Sequence, residues 1–278
     1  MIQPLQSMQP AMALEEQSIT YISDGLKVKA RLFWPQGKGP FPGVIYNHDG
    51  VKGLSTSTIA RCQELAQKGY AVIAPTYRGE DGSEGTIEVA QGEVNDVLNA
   101  LQLFGKLPRV DAQRVAFVGT SHGALVSLLA ATKTDKVKAL VFGYGVADIY
   151  SWYDYLKERK LLGEDALTQQ VYGKGPEDKP ENFRIRHALT VLSNLRVPVL
   201  ILQGDKDKIV PLEQGQILQT KLISLRKSSV LKTYPNSGHG FLIYQEREIK
   251  RHGADSLQYK ESRAAWNEMM AFLAEKLR

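Results

Sequence analysis

The sequence predicts an α/β protein with a mostly parallel central sheet that is flanked by helices on both faces. Short, almost continuous apolar runs lie at residues 44–46, 70–74, 115–118, 139–142 and 199–202. Such runs are typical of strands that are buried on both faces. Helical patterns lie between and after them, at residues 57–69, 88–107, 123–132, 212–226 and 257–276. Because strands and helices alternate, we expect a parallel sheet wrapped by helices.

The N-terminal part has a different pattern. Residues 18–23 and 26–34 alternate apolar and polar side chains around Asp24-Gly25, a dipeptide that favours a tight hairpin. They predict an antiparallel pair at the edge of the sheet. Residues 1–16 have no hydrophobic period, and their Ala11-Met12-Ala13 resembles a signal cleavage site without the apolar segment of a signal. We expect a disordered arm or leader remnant there, followed by one domain over residues 17–278.

One stretch interrupts the alternation of strands and helices. Residues 148–196 contain helical fragments and a Gly-Lys-Gly-Pro turn in place of a simple crossover, which predicts a small lid-like insertion. Four aromatic residues lie at or near its start: Tyr144, Trp152, Tyr153 and Tyr155. Their rings either wall a substrate pocket or pack within the lid, and the sequence leaves both alternatives open.

The composition excludes several classes of protein. The net charge of +5 comes from basic residues that are scattered among acidic ones, so we expect no nucleic-acid partner. No run of 18 apolar residues predicts a membrane span, and the single cysteine, Cys62, excludes an intrachain disulfide. No metal-ligand spacing or cofactor motif occurs, so we expect neither a metal nor a cofactor. The oligomeric state stays open, and so does the compartment, which is the cytoplasm or the exterior after removal of a leader.

A candidate nucleophile lies in Gly119-Thr120-Ser121-His122-Gly123. Gly-x-Ser-x-Gly is weak evidence by itself, because short motifs recur by chance. Here it follows the apolar run 115–118 directly and begins a helical pattern rich in small residues. That context is typical of a nucleophile elbow, a sharp turn that raises a serine above the end of a sheet. We expect Ser121 to be the nucleophile.

The acid and the base are expected after later strands. A serine hydroxyl needs an imidazole to take its proton and a carboxylate to orient that imidazole, in the chain order serine, acid, histidine. Asp205 and Asp207 follow the run 199–202, and we prefer Asp207 because Asp205 fits a turn residue. His239 lies between glycines after the next strand and is the predicted general base.

An oxyanion hole completes such a site. The amide of His122 is the predicted first donor, and the loop His48-Asp49-Gly50 is expected to supply the second, from Asp49 or otherwise from Gly50. The Asp49 carboxylate must then point away from the oxyanion or cap the helix near Ser57.

Five motifs occur in order along the chain: Tyr46-Asn47-His48-Asp49-Gly50, Tyr77-Arg78-Gly79, the elbow, Gly204-x-x-Asp207-x-x-Val210-Pro211 and Gly238-His239-Gly240-Phe241. Together they resemble the α/β-hydrolase superfamily, in the branch of prolyl oligopeptidases and dienelactone hydrolases. The resemblance implies the α/β-hydrolase fold, catalysis by Ser121, Asp207 and His239, and a structural role for Asp148. The chain departs from the branch in having no room for a β-propeller, a serine where dienelactone hydrolases typically have cysteine, and no double glycine after His48.

Three functions fit these observations. The first is a carboxylic-ester hydrolase that forms an acyl-enzyme on Ser121 and acts on a small-molecule ester. The second is a peptidase or amidase of the prolyl oligopeptidase type, which would use the same residues on a short peptide. The third is a non-catalytic ligand receptor on a hydrolase scaffold, since a fold does not fix a function.

Overall fold

A computed structural model describes residues 14–278, which contain one sheet of eight strands in the order β1-β2-β4-β3-β5-β6-β7-β8. The strands are β1 Glu15–Ser23, β2 Leu26–Trp34, β3 Phe41–Asn47, β4 Ala71–Pro75, β5 Val110–Thr120, β6 Ala139–Gly143, β7 Val199–Gly204 and β8 Ser229–Tyr234. The helices are α1 Thr56–Gln67, α2 Gly92–Phe104, α3 His122–Ala131, α4 Ile149–Glu158, α5 Ala166–Tyr172, α6 Pro180–Arg186, α7 Leu212–Ser224, α8 Gln245–His252 and α9 Leu257–Lys276.

The six strands from β3 onward pair in parallel, which confirms the predicted mostly parallel sheet. Helices cover both faces of the sheet. Since alternate strand residues point to opposite sides, each strand contributes side chains to both helical layers. On β3, Ile45 packs in the layer that contains α2, α3 and α7, whereas Val44 and Tyr46 pack with α1 and α9. The fully buried strands explain why the sequence presents apolar runs without alternation.

The antiparallel edge also has the predicted form. β1 pairs with β2 through a turn in which Asp24 and Gly25 have φ angles of 50° and 83°, and β2 continues antiparallel to β4. β1 begins at Glu15, so Glu15 and Glu16 belong to the sheet and not to the arm predicted over residues 1–16. Residues 1–13 of that predicted arm lie outside the described residues.

Two helices differ from their predictions. α2 begins at Gly92 and not at residue 88, because Val89 and Ala90 have φ angles of 57° and 58°, which no helix contains. α8 was not predicted at all. Its sequence, QEREIKRH, is almost entirely polar and therefore has no apolar period to mark it.

The segment predicted as a lid, residues 148–196, contains three short helices, α4, α5 and α6, and two 3-10 turns, Ala188–Thr190 and Leu192–Asn194. Asp148 begins α4 by accepting hydrogen bonds from the amides of Tyr150 and Ser151, at 3.0 and 3.4 Å. Side chains of α4, α5 and α6 form an apolar cluster together with Val146 and Val210, separate from the two clusters that flank the strands. None of the helices over residues 14–278 is both long and apolar enough to cross a bilayer.

Candidate active site

Ser121 lies on a sharp turn between the end of β5 and the start of α3. Its φ angle is 50°, a conformation that costs free energy for any residue with a Cβ atom. The flanking glycines are required by space. A Cβ atom on Gly119 would overlap the Gly123 carbonyl, and one on Gly123 would overlap the carbonyls of Asn47 and His48. The turn therefore raises the serine hydroxyl above the C-terminal edge of the parallel strands.

A hydrogen-bonded series links this serine to His239 and Asp207. Ser121 Oγ lies 2.9 Å from His239 Nε2, and His239 Nδ1 lies 2.8 Å from Asp207 Oδ2. Because a carboxylate oxygen only accepts, Nδ1 carries the imidazole proton and Nε2 presents a lone pair to the serine hydroxyl. This arrangement is able to remove the proton from Ser121 as its oxygen attacks a carbonyl carbon.

The structure brings Asp207 to the histidine and leaves Asp205 on the surface. Asp207 is buried, and its Oδ1 accepts hydrogen bonds from the amides of Ile209 and Val210 at 2.9 and 2.8 Å. These bonds hold the carboxylate in place, so that Oδ2 is presented to His239. The Asp205 amide donates to the carbonyl of Tyr234 at 3.0 Å, which supports the role of a turn residue.

The loop predicted to complete the oxyanion hole lies beside Ser121. As the first residue of α3, His122 has an amide without an acceptor inside its helix. Its Nδ1 lies 3.0 Å from the Gly50 carbonyl, so the ring ties α3 to the loop. The Asp49 carboxylate accepts a hydrogen bond from the Tyr244 hydroxyl at 2.6 Å. The alternative of a cap on α1 is wrong, because Ser55 caps that helix by accepting from the Thr58 amide at 3.0 Å.

A buried cluster of His48, Tyr77 and Glu80 lies next to this loop. His48 stacks on Tyr77 with ring centroids 4.3 Å apart, and the Glu80 carboxyl accepts a hydrogen bond from the Gly53 amide. Burial lowers the pKa of His48 to about 4 and raises the pKa of Glu80 to about 8. Their closest side-chain N···O distance is 4.0 Å, too long for a hydrogen bond, so at neutral pH we regard both as uncharged and not as an ion pair.

The loop that carries His239 is anchored by α8, which the sequence failed to reveal. Arg247 donates a hydrogen bond to the His239 carbonyl at 2.7 Å. Its guanidinium lies over the ring of Tyr244, 4.7 Å from the centroid. Since Tyr244 also holds Asp49, one helix terminus connects the loop of the base with the predicted oxyanion loop.

A cavity of about 180 Å³ opens beside Ser121, and its wall includes Val89, Leu125, Val146, Ile149, Trp152 and Tyr172. The predicted aromatic wall therefore needs correction. Trp152 lines the cavity, with its Nε1 donating to the Ile209 carbonyl at 2.9 Å.

The other three predicted rings lie elsewhere. Tyr144 is buried beneath the site, where its ring packs edge-on against His239 with centroids 5.1 Å apart. Tyr153 packs inside the lid segment against Phe183. Tyr155 faces the surface loop at Lys208, to whose carbonyl its hydroxyl donates at 3.1 Å. Tyr172, which does line the cavity, was missed because its position depends on how α5 folds back over the sheet.

The described residues contain no group of three or more histidine, cysteine, aspartate or glutamate side chains that could hold a metal ion.

Residues 56–273 match the prolyl oligopeptidase family. A Bacillus subtilis protein named as the uncharacterized peptidase YtmA is 29% identical over 243 residues, which cover 87% of this chain and 93% of the relative. The acylaminoacyl peptidase of Pyrococcus horikoshii has a similar structure, with a TM-score of 0.78, 22% identity and coverage of 96% of this chain. This chain spans only 42% of that peptidase.

The Pyrococcus furiosus esterase Pf2001 is similar over nearly its whole length. The TM-score is 0.69 at 16% identity, and the match covers 95% of this chain and 94% of the esterase. At such identities the two structural likenesses establish the fold, which is the α/β-hydrolase fold expected from the sequence. Because the family match covers residues 56–273, which are most of the sequence, the chain belongs to the prolyl oligopeptidase family and is a serine hydrolase.

Proposed function

We propose that this chain is a carboxylic-ester hydrolase that forms an acyl-enzyme on Ser121. The observation that carries the proposal is the unbroken series from Ser121 Oγ to His239 Nε2, at 2.9 Å, and from His239 Nδ1 to Asp207 Oδ2, at 2.8 Å. His239 is the general base for the attack of Ser121 and afterwards gives the same proton to the leaving alcohol. Asp207 fixes the ring and stabilises the imidazolium that forms between these two steps.

Negative charge develops on the carbonyl oxygen during the attack. In the proposed site the amide of His122 meets this charge, together with an amide from Asp49 or Gly50. Each such donor contributes about a hundredfold to a thousandfold in kcat in well-studied acyl-transfer enzymes. The Asp49 carboxylate is engaged by the Tyr244 hydroxyl, so in this proposal Asp49 contributes only its backbone amide.

The nature of the cavity favours an ester over a peptide. Its wall is made mainly of apolar side chains, which fit the hydrocarbon part of a small ester. A peptidase or amidase is the second candidate, because the family and two of the similar proteins carry peptidase names. It would need stronger protonation of the leaving amine by His239.

Matched pairs of substrates test the choice. The purified chain is given p-nitrophenyl esters and p-nitroanilides that share one acyl group, and kcat/KM is measured for both. We expect the ester to be hydrolysed faster in every pair and Ser121→Ala to lower its turnover by about 10⁵-fold or more. Faster hydrolysis of the anilides would favour the peptidase, and ester turnover that survives in Ser121→Ala would reject the mechanism.

A further inference from the structure

The cavity beside Ser121 lies on one side of the reacting bond. Ser121, His122 and Gly50 line it, whereas His239 is not among its lining residues. In the proposed reaction the leaving alcohol takes its proton from His239 Nε2 and therefore departs on the side of the histidine. The acyl group is then the part of the ester that occupies the cavity. This inference rests on the proposed function and adds the class of acyl group.

A buried carboxylate lies close to the cavity but faces a backbone turn. Glu93, which is fully buried, accepts hydrogen bonds from the amides of Glu88 at 2.7 Å, Val89 at 2.9 Å and Gln91 at 3.1 Å. Both carboxylate oxygens are used in these bonds, and Glu93 is not among the residues that line the cavity.

A buried guanidinium is occupied by the same turn. Arg186 is 2% exposed and donates to the carbonyls of Val89 at 2.6 Å, Glu88 at 2.5 Å and Asn182 at 2.7 Å. Each of its three nitrogens donates to a backbone carbonyl, and Arg186 is not among the residues that line the cavity. Burying a charge without a partner costs several kcal/mol.

These bonds also explain how the turn keeps an unfavourable shape. Val89 and Ala90 have φ angles of 57° and 58°, and a β-branched side chain such as that of Val89 rarely adopts this conformation. Glu93 holds the amides of the turn and Arg186 holds its carbonyls, which fixes the Val89 side chain as part of the cavity wall. The size of the cavity therefore depends on this clamp.

We propose that the cavity binds a neutral, apolar acyl group of about six carbons, such as a hexanoyl or benzoyl group, and excludes acyl groups that carry a charge. The size follows from the volume of about 180 Å³, since an apolar protein cavity of about 150 Å³ holds one benzene molecule. The neutrality follows from the wall, whose lining residues include no aspartate, glutamate, lysine or arginine, while the nearby Glu93 and Arg186 are directed at the backbone of the turn.

The first experiment measures kcat/KM of the full chain for p-nitrophenyl esters from acetate to dodecanoate, for the benzoate and for the hemisuccinate. We expect a rise of about fourfold per methylene up to about six carbons, because each buried methylene contributes a nearly constant free energy, and then a fall. The hemisuccinate, which has four acyl carbons and a carboxylate, is expected at least about a hundredfold below the butanoate.

Two outcomes overturn the proposal: kcat/KM that keeps rising to dodecanoate, or a hemisuccinate within tenfold of the butanoate. The failure of the proposed function is distinct, since it would appear as no ester turnover, or as turnover that persists in Ser121→Ala.

Variants of the cavity wall and of the clamp formed by Glu93 and Arg186 test which residues set the preference for acyl length. Val146→Ala enlarges the cavity, and the best acyl chain should become one or two methylenes longer. Val197→Ala is the control, because Val197 is 7% exposed against 8% for Val146 but does not line the cavity.

Arg186→Lys keeps the positive charge but loses the planar set of hydrogen bonds that holds the turn. We therefore expect kcat/KM for the hexanoate to fall by about tenfold relative to kcat/KM for the acetate. An unchanged optimum in Val146→Ala, or an equal fall for both esters in Arg186→Lys, would contradict the assignment.

Discussion

Two aspartates, two positions apart in the chain, have different surroundings at the end of β7. Asp205 is exposed, and its amide completes a turn to Tyr234. Asp207 is buried, and its two oxygens have separate partners: Oδ1 accepts two backbone amides and Oδ2 accepts from His239. A residue that is fixed at one oxygen is able to hold an imidazole at the other. We therefore expect Asp207, and not Asp205, to orient the His239 imidazole.

At this scale we predict that Asp207→Asn lowers kcat by about 10⁴-fold, because an amide in that place favours the wrong tautomer of His239. The matched control is Asp205→Asn, which should stay within about twofold of the native chain. Both are measured as kcat on the best p-nitrophenyl ester. A larger loss in Asp205→Asn than in Asp207→Asn would reverse the assignment of the acid.

At the scale of elements, α8 connects two loops that must keep their relative positions. Tyr244 precedes this helix and donates to Asp49, and Arg247 within it donates to the His239 carbonyl. A shift of α8 would therefore move the predicted oxyanion loop relative to the base. Small errors of position are costly, because a misplacement of about 1 Å can lower a rate by about a hundredfold.

We predict that Tyr244→Phe lowers kcat by about tenfold and leaves KM nearly unchanged, because the lost bond to Asp49 loosens the loop that meets the developing charge. Tyr259→Phe removes a hydroxyl from a partly buried tyrosine on α9 and serves as the control. Steady-state kinetics of both variants provide the test. A rise in KM with constant kcat would instead assign Tyr244 to substrate binding.

For the molecule as a whole, stability is coupled to pH by His48 and Glu80, which are buried near the predicted oxyanion loop, and by His122, which follows Ser121. The pKa of His48 and that of His122 are each lowered by burial to about 4. The folding stability that each contributes is therefore fully present above pH 6.5 and is lost as the pH falls to 4. The pKa of Glu80 is raised by burial to about 8, so its contribution is present below pH 4.5 and is lost as the pH rises to 8. Together these groups favour a stability maximum near pH 6.5.

On the alkaline side of this maximum, Glu80 loses its proton and the chain loses stability. From pH 6.5 to 8, we expect the native chain to lose about 2 kcal/mol of unfolding free energy relative to Glu80→Gln, which has no proton to release. Urea unfolding at both pH values measures this difference. Glu158→Gln, at an exposed position, is the control and should follow the native chain. Parallel pH profiles for the native chain and Glu80→Gln would show that Glu80 is ionised in the fold.

The sequence predicted the sheet and the order of the site residues, because both depend on local patterns. Buried strands appear as apolar runs, and Ser121, Asp207 and His239 each follow such a strand or the next one along the sheet. The wall of the cavity was mostly missed, because Tyr172 and Val89 reach it only through the packing of the lid segment and the clamped turn. Buried ionisable residues such as Glu80 and Arg186 have no signature in a sequence, where they resemble surface residues.

The most direct test of the central assignment is covalent labelling. The folded chain is treated with a fluorophosphonate, and the site of the adduct is identified by peptide mass spectrometry. We predict one adduct per chain on Ser121, its loss in Ser121→Ala and its retention in Ser228→Ala, a serine at an exposed position. Labelling that persists in Ser121→Ala, or an adduct on another serine of the native chain, would contradict the account.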